Sequence, residues 1–251
     1  MSGHSKWSTI KHKKAAVDAK RGRLFTRLIR ELTVAARLGG GDSSANPRLR
    51  TALADAKANN VPADTIERAV KKGTGELGGE VVEEVMYEGY APGGVAVLVE
   101  AFTDNRNRTA SEVRHVFSKH GGNLGENGCV NWMFIKRGYF ALDSSSMSED
   151  EFMELAVEVG AEDFAVDGPH YEMFTTMEAY ARVRETLEER DLTLEVKEMS
   201  MVPQTYVAVE EAGLAKVLSL LEAMDQLDDV QSVWANFDTD EGVLARVSEA
   251  V

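Results

Sequence analysis

The pattern of apolar residues changes at the segment GTGELGG (73–79), which has the composition of a linker. Before this segment, Leu24, Leu28 and Leu32 begin a series of apolar residues three and four positions apart, which predicts amphipathic helices. After it, the alternating VVEEVMYEGY (81–90) and the continuous VAVLVEAF (95–102) predict two strands. We therefore expect an all-helical N-terminal domain, residues 1–79, followed by α+β structure.

Capping residues set the helix boundaries of the N-terminal domain. A short helix is predicted over 13–20, and the helix that includes Leu24 is expected to end at the glycines 39–41. Asn46-Pro47 supplies an N-cap and an N1 proline for the next helix. Pro62 opens a further helix, which is expected to end at Lys71-Lys72-Gly73.

Residues 135–203 contain, in order, a strand, a helix, two strands, a helix and a strand. Ser148, with Glu151 three residues later, marks the start of the first helix. The turn Asp167-Gly168-Pro169 separates the two central strands, and the second helix is expected to carry Met177 and Leu187. This order predicts a complete ferredoxin-like α+β unit.

A second ferredoxin-like unit is predicted from two separate segments. Residues 80–134 supply the two strands of the first paragraph, a helix opening at the capping box Thr109-Ala110-Ser111-Glu112, and a strand over Val130–Phe134. Residues 204–251 add a strand over 205–209, a helix with Leu214 and Leu221, and a strand over 230–237. We therefore predict a discontinuous middle domain, 80–134 plus 204–251, into which 135–203 is inserted.

The charges of the chain are separated along the sequence. Residues 1–75 hold 16 Lys and Arg against 6 Asp and Glu, a net charge of +10; subtraction from the totals of 28 and 42 leaves 12 and 36, a net charge of −24, for 76–251. A basic block at one end of an acidic chain predicts contact with a polyanion through that end. Trp7 has no periodic apolar neighbours and can stack on an unpaired base. The predicted nucleic-acid contacts in this block are Lys6, Trp7, Lys11, His12, Lys13, Lys14, Lys20, Arg21 and Arg23. The alternative is a solvated basic face of a helical domain.

The polar segment TDNRNR (103–108) is a second candidate contact. Its residues Arg106, Asn107 and Arg108 lie before a predicted helix N-terminus, where forked donors and free backbone N–H groups bind phosphates or base edges. The alternative is an ordinary capped loop in which Arg106 or Arg108 pairs with Asp104 or Glu112. Tyr87 and Tyr90 form either an exposed platform or half-buried strand positions.

The sequence gives little support for an enzyme. Its five histidines lack a metal-ligand spacing, and neither a Walker-type nor a Rossmann glycine pattern is present, so no metal, cofactor or catalytic residue is predicted. The single cysteine, Cys129, excludes an intramolecular disulfide framework and fits a small buried residue in a reducing compartment. No apolar run reaches the roughly 18 residues of a membrane span, and no apolar segment follows the basic N-terminus as in a secretory signal. We predict a cytoplasmic protein that does not contact a membrane.

Two long segments resemble the YebC/PmpR family. The opening MSGHSKWSTIKHKKAAVDAKRGRLFTRLIREL is similar to the N-terminal signature of that family, and VMYEGYAPGGVAVLVEAFTDNRNRTASEVRHVFSKHGGNLGENGCVNWMF is similar to its middle signature. The resemblance implies a helical domain followed by two α+β domains. It also implies a probable transcriptional regulator, with mitochondrial relatives that activate translation of a cytochrome oxidase subunit and other members that relieve ribosome stalling on proline-rich stretches. Cys129 stands where many relatives have serine, and 135–203 matches only loosely.

Three functions follow as hypotheses. We favour a non-enzymatic translation factor whose basic domain binds ribosomal RNA while the acidic domains meet a ribosomal protein or tRNA. The alternative is a transcription regulator that binds duplex DNA, against which stand the repulsion by the acidic body and a connection, 39–45, longer than a helix-turn-helix allows. A protein-interaction adaptor with a solvated basic end is the third. If about five cations reach phosphates, affinity should fall roughly 10² to 10³ between about 50 and 200 mM salt.

Overall fold

The computed structural model describes residues 19–190 and 192–250, which form three helices followed by two four-stranded antiparallel sheets with their own helices and a two-stranded parallel sheet. The α-helices are α1 (Ala19–Gly39), α2 (Pro47–Ala58), α3 (Ala63–Gly73), α4 (Arg106–Lys119), α5 (Glu149–Val159), α6 (Tyr180–Glu189), α7 (Glu211–Asp225) and α8 (Glu241–Ala250). The strands are β1 (Glu83–Ala91), β2 (Val95–Thr103), β3 (Asn123–Leu124), β4 (Phe134–Asp143), β5 (Asp163–Asp167), β6 (His170–Thr175), β7 (Leu194–Pro203), β8 (Val207–Ala208), β9 (Val230–Ala235) and β10 (Phe237–Asp238).

Helices α1, α2 and α3 pack around a small apolar core that includes Leu32, Leu49 and Ile66. The predicted N-cap is confirmed, since the side chain of Asn46 accepts a hydrogen bond from the backbone N–H of Leu49 at 3.0 Å. Its amide also donates to the carbonyls of Ala35 and Gly40 at 2.8 Å each, so one buried side chain joins the end of α1 to the start of α2.

The first sheet has the strand order β3-β1-β2-β9, and its paired strands run antiparallel. Helices α4 and α7 cover one face, where Val97, Val99, Phe117 and Leu218 belong to the largest apolar core. Every residue of β2 is buried because both faces of this central strand are covered. The opposite face carries Leu98, which packs with Trp234 and with Phe134 from the start of β4.

The second sheet has the order β5-β6-β4-β7, also antiparallel, and α5 and α6 pack on one face. The predicted capping box at Ser148 and Glu151 is confirmed. Along the chain, the strands of this sheet lie between β3 and β9 of the first sheet. The fold class is therefore as predicted, an N-terminal helical region followed by α+β units with antiparallel sheets. The division into domains 1–79, 80–134 plus 204–251, and 135–203 remains our proposal.

The strand predicted over Val130–Phe134 is wrong. Asn131–Met133 form a 3₁₀ turn, and Phe134 begins β4 of the second sheet. The backbone N–H groups of Val130 and Asn131 donate to the buried carboxylate of Glu88 at 2.8 Å each, so they do not take part in a strand ladder. The short strand β3 pairs with β1 instead.

The capping box predicted at Thr109 is also wrong. Helix α4 begins three residues earlier, at Arg106, because the side chain of Asn105 accepts from the N–H of Arg108 at 3.1 Å. The hydroxyl of Thr109 is buried and donates to Asp229, 120 residues away.

Three other differences are local. The predicted strand 205–209 is reduced to β8, which pairs in parallel with β10. Met177 precedes α6 and is exposed, and α8 was not predicted. The predicted helix over 13–20 lies outside the described residues except for its last two positions.

In the part of the chain that the structure describes, no helix is both long enough and apolar enough to cross a bilayer.

Candidate nucleic-acid interface

Most of the predicted basic contacts fall before the described part of the chain. Lys6, Trp7, Lys11, His12, Lys13 and Lys14 all lie there. Lys20 and Arg21 contribute their backbone to the first turn of α1. Arg23 is half-buried on the same helix and forms no ion pair within the described residues. The role of these nine residues stays a prediction.

The next arginines of α1 contact the acidic part of the chain. Arg27 donates to the carbonyl of Val230 at 3.2 Å and pairs with Asp225 at 3.2 Å. Arg30 donates to the carbonyl of Asp228 and pairs with Asp229 at 2.9 Å. The middle of α1 is therefore anchored to the segment between α7 and β9, and the basic block of the sequence divides into an anchored part and a part that precedes Arg27.

Asp229 is the centre of this junction, and its side chain is only 3% exposed. Its Oδ2 accepts from Arg108 at 2.7 Å, from the hydroxyl of Thr109 at 2.6 Å and from that of Thr103 at 3.2 Å, while Oδ1 faces Arg30. Burial acts to raise the pKa of Asp229, but the hydrogen bonds from Thr109 and Arg108 outweigh it and hold the pKa below its usual value. The carboxylate of Asp229 thus joins α1 to the start of α4.

The second predicted contact, Arg106-Asn107-Arg108, forms the first turn of α4 and not a loop. Arg108 pairs with Asp104 at 3.0 Å as well as with Asp229, and Arg106 pairs with Glu83. Both arginines are therefore occupied by carboxylates, and the alternative pairing of Arg108 with Asp104 is confirmed. Asn107 is exposed. Whether the three residues also bind nucleic acid stays a prediction.

A second junction joins the helical unit to β1. The guanidinium of Arg48 on α2 donates twice to Glu31, at 2.7 and 3.0 Å, and once to Glu84 at 2.7 Å, and it lies 5.7 Å from the ring centre of Phe102. These charge-assisted bonds hold α1, α2 and β1 together. In the same part of the molecule, Arg37 donates to the carbonyl of Val82 at 2.6 Å.

Glu100 on β2 lies beside this second junction and is 9% exposed. No described residue hydrogen-bonds to its carboxylate. Burial raises the pKa of Glu100 to about 7, and the nearby charge of Glu84 adds to the effect. This carboxyl group therefore takes up a proton in the neutral pH range.

Five cations of the acidic part form no ion pair with any described residue. They are Arg114, Lys119, Lys136, Arg182 and Lys216, and all five are exposed. Two of them line an open groove of about 550 Å³ between α4 and α7, whose lining residues are Lys119, His120, Gly121, Ala215, Lys216 and Ser219. His120 caps the end of α4 and lies 3.0 Å from the Ser219 hydroxyl; burial, followed by the charge of Lys119, lowers its pKa.

The remaining candidates are structural. Tyr87 is buried and Tyr90 half-buried, in agreement with the second of the two interpretations. Cys129 is a free, partly buried thiol, and burial raises its pKa above the usual value. Among the described residues, no group of three His, Cys, Asp or Glu side chains is placed to hold a metal ion. The sequence patterns did not single out Trp132, which is 66% exposed.

Comparison with known proteins gives matches over most of the chain. The family model described as the TACO1/YebC N-terminal domain matches residues 5–76, and the one described as the TACO1/YebC second and third domain matches 82–237. A "Probable transcriptional regulatory protein" of Syntrophobacter fumaroxidans is 55% identical over 249 residues, 99% of this chain and 100% of that protein. One of the same name from Geobacter sulfurreducens is 55% identical over 238 residues, 95% of this chain and 96% of that protein.

A solved structure has the same architecture. The crystal structure of a conserved hypothetical protein from Aquifex aeolicus superposes with a TM-score of 0.83 at 54% sequence identity, and the match covers 92% of this chain and 96% of that chain. Matches of this extent include both sheets and the helical unit.

Proposed function

Because this chain belongs to the TACO1/YebC family, we propose that it is a non-enzymatic regulator of gene expression that binds nucleic acid. Its relatives bear the name probable transcriptional regulatory protein, which supports a regulatory role. Our more specific proposal is a cytoplasmic factor that binds ribosomal RNA through the basic residues before Arg27, with ribosomal protein or tRNA as a further partner of the acidic domains.

The observation that carries this proposal is the division of the basic block at Arg27. Arg27 and Arg30 are used in ion pairs with Asp225 and Asp229, and they fasten α1 to the acidic part of the molecule. The seven Lys and Arg residues from Lys6 to Arg23 precede this anchor, with Asp18 as the only acid among them. A cationic segment that is joined to an anchored helix is available to bind a polyanion outside the molecule.

RNA is favoured over duplex DNA for two reasons. Residues 76–251 carry a net charge of −24, which repels a long duplex that lies along the body. In addition, α1 ends at Gly39 and α2 begins at Pro47, so the intervening segment is longer than the three or four residues of a helix-turn-helix turn. An RNA loop or end presents its phosphates and unpaired bases to a small basic segment without a long parallel duplex.

The test is co-sedimentation of the full chain with ribosomes over a salt series. One variant replaces five cations of the basic block by alanine: Lys11, Lys13, Lys14, Lys20 and Arg21. A matched variant replaces the five unpaired cations of the acidic part: Arg114, Lys119, Lys136, Arg182 and Lys216. Both variants lose the same charge, so a difference between them reports the position of the contact and not the net charge of the protein.

We expect wild-type affinity to fall roughly 10² to 10³ between about 50 and 200 mM salt, as for about five phosphate contacts. The basic-block variant should lose most of its binding and most of this salt dependence, while the matched variant should sediment like wild type. Equal losses in both variants would contradict the proposed location.

The second candidate function is transcription regulation through duplex DNA, which the printed names of the relatives favour. Excess duplex DNA in the same experiment separates the two functions. Ribosome binding that persists in its presence supports the RNA proposal. Release of the protein from ribosomes by a particular duplex sequence would favour transcription regulation through DNA.

A further inference from the structure

Trp132 has the largest exposed fraction, 66%, of the Phe, Tyr and Trp side chains that the structure describes. It lies in the 3₁₀ turn Asn131–Met133, where the chain passes from the first sheet to β4 of the second. An isolated exposed aromatic side chain is common on protein surfaces. The backbone next to Trp132, however, is held by hydrogen bonds to the buried carboxylate of Glu88.

A buried carboxylate fixes the backbone before Trp132. Glu88 on β1 is 5% exposed and accepts three hydrogen bonds, from the N–H groups of Gly128 at 2.7 Å, Val130 at 2.8 Å and Asn131 at 2.8 Å. Hydrogen bonds to an ionised acceptor are about twice as strong as neutral ones. Three of them on one turn hold its backbone rigid.

Two neighbouring residues complete this support. The Tyr90 hydroxyl donates to the carbonyl of Cys129 at 3.1 Å, and the backbone N–H of Gln204 donates to the carbonyl of Met133 at 2.8 Å. The backbone is therefore fixed on both sides of Trp132. A recognition residue gains affinity when it is held in its bound position.

The indole itself is oriented by its turn. Its Nε1–H donates to the carbonyl of Cys129 at 3.2 Å, so the polar edge of the ring is already satisfied. The exposed surface that remains belongs to the apolar rings. Such a ring contacts its ligand through its face and not through a hydrogen bond.

The surroundings of Trp132 indicate which ligand fits this face. The exposed residues just before Trp132 are Asn127, Gly128 and Asn131, which are small or neutral and polar, and the acidic Glu126. Gly128 has a φ of +87°, a conformation that favours glycine, and so it adds no side chain beside the ring. The core of a protein interface requires a contiguous apolar patch, which this turn does not present. A planar ligand with polar edges matches an aromatic face among amides.

We propose that Trp132 stacks on an unpaired nucleobase of the RNA that the chain binds. The inference rests on the proposed function and adds a contact in the α+β part of the molecule to the phosphate contacts of the basic block. The exposed amides of Asn131, directly before Trp132, and of Asn127, five residues before it, are available to bond the edge of the base. Because every base has a π-face, this contact tolerates changes of sequence.

Two single-stranded RNA oligonucleotides of equal length test the inference, one with all its bases and one with abasic sites on the same phosphate backbone. Their charges are equal, so the ratio of their affinities isolates contacts to bases from contacts to phosphates. The background is Trp7→Phe, in which fluorescence comes from Trp132 and the buried Trp234. Base-containing RNA should quench the emission, and abasic RNA should not.

In affinity measurements, Trp132→Ala should weaken binding of base-containing RNA about 5- to 150-fold, the value expected for one base stacked on an aromatic ring. Binding of abasic RNA and the salt dependence should not change, because no cation is removed. Trp132→Phe should recover part of the loss. Tyr206→Ala, which removes another exposed aromatic ring, serves as the matched control and should leave the ratio unchanged.

Glu88→Gln tests the rigid support without a change to the indole. It should reduce the base-to-abasic affinity ratio towards that of Trp132→Ala, and thermal unfolding of each variant shows whether the fold is retained. An unchanged ratio in Trp132→Ala would overturn the inference. If the basic-block variant still loses RNA binding in that case, the proposed function stands; if wild type binds neither oligonucleotide, both fail.

Discussion

Asp229 and Glu100 are two buried carboxylates of the first sheet that lie in opposite environments. Asp229 precedes β9 and receives donors from Arg30, Arg108 and Thr109, so its pKa lies below the usual value. Glu100 lies on β2, which pairs with β9, and burial raises its pKa to about 7. Low exposure alone therefore does not decide whether a carboxylate is ionised; the donors around it also contribute.

The difference arises from how each junction uses its arginines. At Asp229, one guanidinium comes from α1 and one from α4, and both point at the same carboxylate. At Glu100, the nearby Arg48 is already bonded to Glu31 and Glu84, whose negative charges act on Glu100 as well. The carboxylate of Asp229 therefore has two guanidinium partners, whereas at the second junction the carboxylates of Glu31, Glu84 and Glu100 lie near the single guanidinium of Arg48.

The largest expected effect is that of Asp229→Ala. The change leaves two guanidinium groups and the Thr109 hydroxyl without their common acceptor, and breaking a buried charge pair costs about 3 to 5 kcal/mol. Since Arg30 and Arg108 are 24% and 45% exposed and can be rehydrated, we expect a loss near the lower end, about 3 kcal/mol. Urea unfolding measures it through the shift of the midpoint.

The neighbouring Asp228→Ala is the control for this prediction. Asp228 is exposed and offers Arg30 only its backbone carbonyl, which alanine retains, so stability should stay within about 0.5 kcal/mol of wild type. The cost of Asp229→Ala should also shrink as pH falls below about 3.8, because the stabilisation from a lowered pKa is lost on protonation. An equal loss of stability in Asp229→Ala and Asp228→Ala would show that the buried carboxylate of Asp229 does not stabilise this junction.

Glu100→Gln should act in the opposite sense. A carboxyl group with a raised folded-state pKa binds more protons when folded, so wild-type stability falls as pH rises from about 4.5, the unfolded value, to about 7. The neutral variant lacks this loss. Its advantage over wild type should grow across that window to roughly 2 kcal/mol, at about 1.4 kcal/mol per pKa unit with a discount for relaxation.

The measurement is urea unfolding of both proteins at a series of pH values. The difference between the two curves isolates Glu100 from the other titrating groups. A constant difference from acid to neutral pH would show that Glu100 is ionised throughout, and the contrast with Asp229 would disappear.

The smallest effect is expected for Lys136→Ala. The positive charge of Lys136 favours the ionised form of Glu100, so its removal should move the pKa of Glu100 above about 7 and shift the same pH transition upward. Arg182→Ala removes an equal charge from another exposed, unpaired position and serves as the control. A shift of equal size in both variants would indicate a general charge effect and not a local one.

Local patterns predicted the elements of the fold where the deciding contacts are local. The caps at Asn46 and Ser148 bond to backbone groups three residues away, and both helices begin where predicted. At Thr109 the same rule failed, since Asn105 caps the helix and the Thr109 hydroxyl bonds to Asp229. A capping pattern considers only neighbouring residues, so it cannot predict that the Thr109 hydroxyl bonds to a residue 120 positions away.

The candidate site was predictable to a smaller extent. Charge clustering located the basic block, but the sequence does not distinguish Arg23 from Arg27, because the partner of Arg27 lies about 200 residues later. Arg106 and Arg108 have the composition of a phosphate-binding loop, yet Glu83 and Asp229 pair with them. The sequence patterns did not single out Trp132, because the backbone next to it is held by Glu88, 44 positions earlier on β1.

The sequence by itself determined most of the order of helices and strands, the helical and α+β character of the two parts, and the separation of charge, since periodicity, capping and composition act within a few residues of the chain. Only the tertiary structure decided which charges are used inside the molecule. Arg30 and Asp229 are 199 positions apart, and Arg48 and Glu84 are 36 apart. The energies of these pairs depend on burial and geometry that no local pattern contains.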